Sequence, residues 1–193
     1  MQLGVHRPER YDSVAVALHW LLAVALIAQV ALGFYLQEIP HNTPPRGWWV
    51  NLHKSTGLVL LALILVRIGW RLAHRPPPLP AVLSAAQRRL AAWGHVLLYA
   101  VMLALPLTGY VASNFSKWGV KFFNVIELPP WGPPDKQVYD LFNGAHQALA
   151  IAFTLLIVVH VVAAVRHLAL RDGVFARMWP RSTARRVRAP DTA

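Results

Sequence analysis

Four long stretches of this chain are almost wholly apolar, and between them the pattern breaks into proline, glycine and charge. A helix needs roughly 20 apolar residues to cross a bilayer. The pattern therefore predicts transmembrane helices over residues 14–36, 51–72, 90–112 and 141–170, the last long enough to extend past the interface. Asp12 or Ser13 stands where it can cap the first helix, and Pro106 is expected to kink the third. In lipid the backbone must satisfy its own polar groups, so four such segments imply an all-α transmembrane four-helix bundle. The expected organisation is an N-terminal segment 1–12, a bundle 13–172 and a basic tail 173–193, disordered beyond Pro180.

The connections add detail. Residues 37–50 read as a short loop whose Trp48 and Trp49 suit an interfacial aromatic belt. Residues 73–89 begin with a stiff proline-rich linker. The longest connection, 113–140, is expected to hold a short interfacial amphipathic helix bearing Trp118, Phe122 and Phe123.

Composition supports a lipid solvent: 56% of residues are hydrophobic and 14% charged, where a soluble domain carries roughly 25% charge. The chain has no cysteine, which excludes disulfides, iron–sulfur clusters, cysteine-based zinc sites and covalent haem attachment. The segment before the first span is polar, and neither it nor the long apolar run after it reads as a cleavable signal peptide. The net charge of +11 would suit nucleic acid, but its distribution argues otherwise. Arg7, Arg10, Arg71, Arg75, Arg88, Arg89, Arg171, Arg177 and the arginines of the tail fall on one side of the predicted bundle. Arg46 and all four lysines, Lys54, Lys117, Lys121 and Lys136, fall on the other. The positive-inside rule then puts both termini of a multi-pass plasma-membrane protein in the cytoplasm. The basic tail suits anionic lipid, and no aromatic or motif context points to nucleic acid.

Histidine inside a span is costly and so reads as functional. His146 and His160 stand fourteen residues apart. That is about 21 Å along a helix and within roughly 40° of four full turns, so both rings share a face, one near each leaflet. Depth pairs His19 with His160 on the cytoplasmic side and His53 with His146 on the periplasmic side. Each pair comes from two facing helices, which suits the two axial positions of a flat tetrapyrrole iron. Zinc, which prefers four ligands at one point, fits poorly. His95, at the depth of His19, is a rival axial ligand or a second-shell and propionate partner. Arg67 and Arg71 suit haem propionates, with snorkelling to the headgroups as the other reading of both. His167, about two turns beyond His160, lies at the cytoplasmic rim, either to hydrogen-bond a quinone carbonyl or simply as an interfacial residue. Gly33, Gly57, Gly109 and Gly144 admit either a macrocycle or a closely packed helix. His6, His41 and His74 fall in loops.

The segments "LHW", "HKSTG", "VRIGWRL" and "GHVLLYAVMLALPLTGY", followed by two histidines separated by thirteen residues, resemble the bacterial cytochrome b561 family over residues 10–180. The resemblance implies an inner-membrane protein with two b haems whose axial ligands are His19, His53, His146 and His160. A superoxide-oxidising member of that family has a histidine near its quinone site where His167 stands here. Three functions remain open. One is electron transfer from a periplasmic one-electron donor, with superoxide a candidate, to the quinone pool, with ubiquinone a candidate substrate. A second is an electron-relay subunit serving a periplasmic redox partner or a dehydrogenase. A third is a non-redox membrane protein without haem.

Overall fold

The structure, a computed structural model, describes residues 10–79 and 82–180. Four helices dominate it: α1 (Ser13–Glu38), α2 (Pro44–Ala73), α3 (Ala85–Asn114) and α4 (Lys136–Leu170). All four are long and apolar enough to cross a membrane, and together they make a transmembrane four-helix bundle. Each helix start has a local cause. The Asp12 carboxylate accepts the Ala15 N–H at 2.9 Å and caps α1. Pro44 and Pro45 occupy the first turn of α2, where a missing N–H costs nothing. Ser84 and Gln87 form a reciprocal capping box on α3. Asp135 accepts from the N–H groups of Gln137 and Val138 to begin α4.

Two expectations need correction. α2 begins at Pro44 rather than near residue 51, and α4 at Lys136 rather than near residue 141. Trp48 and Trp49 therefore belong to the first turns of a helix and not to a loop; Pro44 and Pro45 set the start of α2 and the Asp135 cap that of α4, rather than the edge of the apolar run. The 113–140 connection holds no amphipathic helix. Its centre is a β-hairpin, β1 (Val120–Phe122) against β2 (Ile126–Leu128), with Val120 opposite Leu128 and Phe122 opposite Ile126. The turn carries Phe123 and Asn124 at φ of 46° and 62°. Asparagine tolerates that region, whereas phenylalanine does so only when held. The hold is visible: the Phe123 N–H donates to Ser55 Oγ at 2.7 Å. Lys54 Nζ donates to the Gly119 carbonyl at 2.6 Å, and the Lys121 N–H reaches Asn51 Oδ1 at 3.4 Å. The hairpin is thus laced to the α2 turns on either side of His53.

α1 packs on α2, α2 on α3, and α3 on α4, while α4 makes almost no close backbone approach to α1 or α2. The core contains Leu22 and Leu26 of α1, Leu60 and Ile64 of α2, Val101, Met102 and Leu105 of α3, and Phe153 of α4. Phe153, midway in sequence between His146 and His160, is the buried residue of α4. The outer face of that helix, with Ile151, Leu155, Val158 and Val162, is exposed as a lipid-facing surface should be.

At the end of the bundle opposite the hairpin, residues 173–180 fold back on the helices. Trp20 Nε1 donates to the Met178 carbonyl at 2.7 Å, Arg10 Nε to the Ala176 carbonyl at 2.9 Å, and Arg177 to the carbonyls of Pro77 and Pro78 at 2.8 Å each. The expected tail beyond Pro180, like His6 and Arg7, lies outside the described residues.

Candidate functional site

The gap between α4 and the α1–α2 pair is bridged by imidazole rings. His53 of α2 and His146 of α4 have ring centroids 6.2 Å apart. His19 of α1 and His160 of α4 repeat the same 6.2 Å at the other end of the bundle. A metal-bound imidazole nitrogen lies about 2.0 Å from its metal and the ring centre about 1.1 Å further on, so two imidazoles on opposite sides of one ion have centroids about 6.2 Å apart. The helix axis separates the two pairs by about 21 Å, so no single ion can serve both. Leu26, Leu60, Ile64 and Phe153 fill the space between them.

Near the hairpin, each ring lies against a glycine of a neighbouring helix. A Cβ on Gly109 of α3 would come within 2.9 Å of His146 Cε1 and Nδ1, and one on Gly33 of α1 within 3.2 Å of His53 Cε1. Glycine here makes room for a side chain between helices. His146 Nδ1–H donates to the Leu105 carbonyl at 2.8 Å. A carbonyl only accepts, so the bond fixes the tautomer and leaves the Nε2 lone pair for a ligand, the usual arrangement behind a metal-binding histidine. His53 Nδ1 is the one buried side-chain nitrogen without a hydrogen-bond partner among the described residues. An orphan of that kind marks either a cost or an unfilled role.

Sequence reading missed Gln29. Its amide Nε2 donates to the His53 carbonyl at 2.7 Å, and its Oε1 accepts from Thr56 Oγ1 at 2.7 Å. Both ends of the amide are satisfied, and the turn carrying His53 is tied to α1. The signal was present: a glutamine inside an otherwise apolar span needs partners as surely as a histidine does.

The other end is richer in charge. Arg67 Nη2 reaches His19 Nδ1 at 3.3 Å while Nη1 donates to the Ala15 carbonyl at 3.1 Å. A guanidinium only donates, so this contact asks for the proton on His19 Nε2, the reverse of the His146 arrangement. Metal binding through His19 Nε2 requires Arg67 to release Nδ1 and find another acceptor. The guanidinium groups of Arg67 and Arg71 also lie 5.9 and 5.4 Å from the centre of the Tyr99 ring. His95 joins this cluster, its ring 5.8 Å from His160 and its Nδ1–H donating to the Ala91 carbonyl at 2.7 Å. The fold thus gathers His19, His160, His95, Arg67 and Arg71 at one level. His167 stands apart, two turns beyond His160, with Nδ1 at 2.5 Å from Asp172 Oδ2.

Residues 10–181 match the model of the family described as prokaryotic cytochrome b561. "Cytochrome b561 homolog 2" of Escherichia coli K12 is 30% identical over 182 residues, spanning 92% of this chain and 95% of that protein. "Probable superoxide oxidase CybB" of Yersinia pestis is 28% identical over 176 residues, spanning 90% and 97%. "Cytochrome b562" of Cereibacter sphaeroides is 28% identical over 173 residues, spanning 87% and 94%.

The glycine contact generates a prediction. Gly109→Ala is expected to push the His146 ring off the Leu105 carbonyl. Imidazole ¹⁵N chemical shifts, which separate the two tautomers, should then lose the Nδ1–H signature of His146; an unchanged signature would mean that the ring fits beside a methyl group.

Proposed function

Because the chain belongs to the prokaryotic cytochrome b561 family, whose members are b-type membrane cytochromes, we propose that it holds two b haems and carries electrons across the bilayer to quinone. The chain is a multi-pass bacterial membrane protein of a haem-binding, electron-transfer family.

One observation carries the finer reading. Two imidazole pairs with the same 6.2 Å separation stand one above the other along α4, each bridging to a different helix. In this reading His53 and His146 are the axial ligands of one haem, and His19 and His160 those of the other. The free Nε2 of His146 and the glycines behind the His146 and His53 rings support the fit. Haem iron supplies reversible one-electron chemistry. With both rings of each pair committed to holding it, the group would supply outer-sphere electron transfer rather than an open site for substrate. Arg67 and Arg71 neutralise propionates at the end where the arginines gather, and Arg67 thereby gains the acceptor that frees His19 Nδ1. His95 stands beside His160, its ring 5.8 Å away and its Nδ1–H held by the Ala91 carbonyl. Leu26, Leu60, Ile64 and Phe153 keep water from the space between the two levels.

The positive-inside bias supports cytoplasmic termini and a periplasmic hairpin. Electrons then enter near His53 and His146 and leave near His167, where quinone in the inner leaflet is the acceptor. Superoxide, which the name of the Yersinia relative mentions, fits as donor because it is small and anionic. Lys136 is paired with Asp140, Lys54 is tied to the Gly119 carbonyl and Lys121 lies opposite Glu127 in the hairpin, so the exposed Lys117 offers the least compensated steering charge. A second reading also has an observation behind it. Trp118 and Val125 on the hairpin side are 82% and 77% exposed, an apolar surface on which a periplasmic redox protein could dock.

Substitution separates the ligand pairs. His146→Ala or His53→Ala should each remove one haem equivalent, the same one. His19→Ala or His160→Ala should each remove the other, and His95→Ala should retain both. Pyridine haemochrome assays with low-temperature EPR of each variant check this. If His146→Ala and His19→Ala abolish the same low-spin signal, the pairing is wrong, and if His95→Ala removes the second haem in place of His19→Ala, the inner ligand is His95.

The donor has its own test. Reduction by pulse-generated superoxide should slow several-fold between low and about 0.5 M salt, as exposed charges are screened. Salt-independent reduction would exclude steering by Lys117 and the other outer lysines.

A further inference from the structure

We propose that Asp172 is a positioning residue that holds His167 as the proton donor to a quinone carbonyl at the end of α4. The inference rests on the reading above that quinone is reduced at this end of the bundle.

The geometry is built by the helix terminus. α4 ends at Leu170, and Arg171 adopts a left-handed conformation with φ of 51°. Gly173, with φ of 84°, continues the reversal. The chain thereby turns back and brings the Asp172 carboxylate against the imidazole one turn earlier. Both carboxylate oxygens are committed: Oδ2 to His167 Nδ1 at 2.5 Å, and Oδ1 to the Val174 N–H at 3.1 Å. The two side chains are only 18% and 12% exposed. Burial works to raise the Asp172 pKa, but the bonds from His167 and the Val174 N–H outweigh it, and the group lies below the usual carboxylate range. The carboxylate is therefore charged at neutral pH.

A charged carboxylate on Nδ1 has two effects on an imidazole. It fixes the ring's orientation and tautomer, and it offsets the ring's charge whenever Nε2 also carries a proton. His167 Nε2 makes no hydrogen bond to any described residue. That nitrogen is the one free to donate. His167 follows His160 by seven residues, about 10 Å along the axis and within roughly 20° of two full turns. The imidazole therefore stands between the level of the inner histidine pair and water, on nearly the same helix face. Arg166, on the same turn, acts electrostatically on Asp172, and Arg171 follows at the helix end. Arg177, in the short helical turn packed on α4, is bound to the Pro77 and Pro78 carbonyls.

Quinone reduced to quinol takes two electrons and two protons. The electrons arrive singly from the one-electron donor. At one carbonyl the His167 Nε2–H bond breaks and an O–H bond forms, and the N–H electron pair stays on Nε2. Asp172 keeps the Nδ1 proton in its hydrogen bond throughout. Water at the membrane surface returns a proton to Nε2 and supplies the second one to the other oxygen.

The same contact could serve only to close the end of α4, since a cationic histidine there also complements the helix dipole. Asp172→Asn tells the two roles apart: the amide oxygen still accepts from Nδ1–H, but the charge is gone. Haem-loaded protein in nanodiscs, reduced and freed of reductant, is mixed with decylubiquinone, and haem reoxidation is followed optically. Quinone affinity is measured separately by calorimetry. At saturating quinone, His167→Gln should slow reoxidation on the order of 10²-fold and Asp172→Asn at least about tenfold, as expected for a general acid and the group that sustains it. Asp172→Glu should come within about threefold of wild type, and quinone affinity should stay within about threefold in all three.

A normal saturated rate in Asp172→Asn, with His167→Gln slow, overturns the proposal and leaves the quinone reading standing. So does a loss of affinity alone, which marks a purely structural contact. Normal rates in both variants overturn the quinone reading at this end as well. Should Asp172→Asn fail to load haem, the wild type decides. Its saturated rate should fall about twofold or more in D₂O, and the absence of an isotope effect overturns the proposal.

Discussion

A neutral imidazole buried in hydrocarbon must find a partner or cost several kcal/mol. This chain carries four of them in positions where α4 stands away from α1 and α2, so that the rings themselves bridge the gap. The rest of the fold follows from that constraint. α3 packs along α4 and turns the His146 ring with the Leu105 carbonyl. α1 and α2 pack together and present His19 and His53 to the gap. The apolar residues fill the middle of the bundle, where no histidine stands.

The run 51–56 concentrates this logic in six residues. Asn51, Lys54 and Ser55 bind the hairpin, while the His53 ring crosses to α4 and Thr56 binds Gln29 of α1. The neighbours of His53 thus face away from its ring and fix the elements on either side. A polar clasp of this kind holds better in a membrane than an apolar contact, because lipid competes well for apolar surface and poorly for hydrogen bonds. The opposite end uses another device: a short returning segment bound to residues 10–20 and to the proline-rich linker, with Arg177 buried among them. One end therefore carries a hairpin bound to the α2 turns around His53, and the other is framed by arginines and the His167–Asp172 pair.

Much of this was legible in the sequence, for definite reasons. Apolar runs longer than any soluble helix needs announced the spans. The fourteen-residue spacing of His146 and His160 fixed their common face through the helical period alone, and antiparallel connections between short loops fixed which depth met which. What escaped was what depends on side chains meeting across elements. Val120–Leu128 alternates for only three residues at a time, too briefly to stand out against a helical expectation, and its register is held by Ser55 some 68 residues earlier in the chain. Gln29 and Asp172 escaped because their partners, the His53 carbonyl and the His167 ring, become visible only once a helix pair or a helix end is built. The early start of α2 was marked by Pro44 and Pro45, a signal that the hydropathy of the following residues masked.

If each bridging pair of rings grips its own tetrapyrrole, a redox titration of the purified protein, followed in the visible α band and by EPR and normalised to chain concentration, should find two haems b per chain. They should titrate as two low-spin centres, each with the signature of two imidazole ligands. A single centre, a five-coordinate high-spin iron, or a protein without haem would sink the two-haem reading.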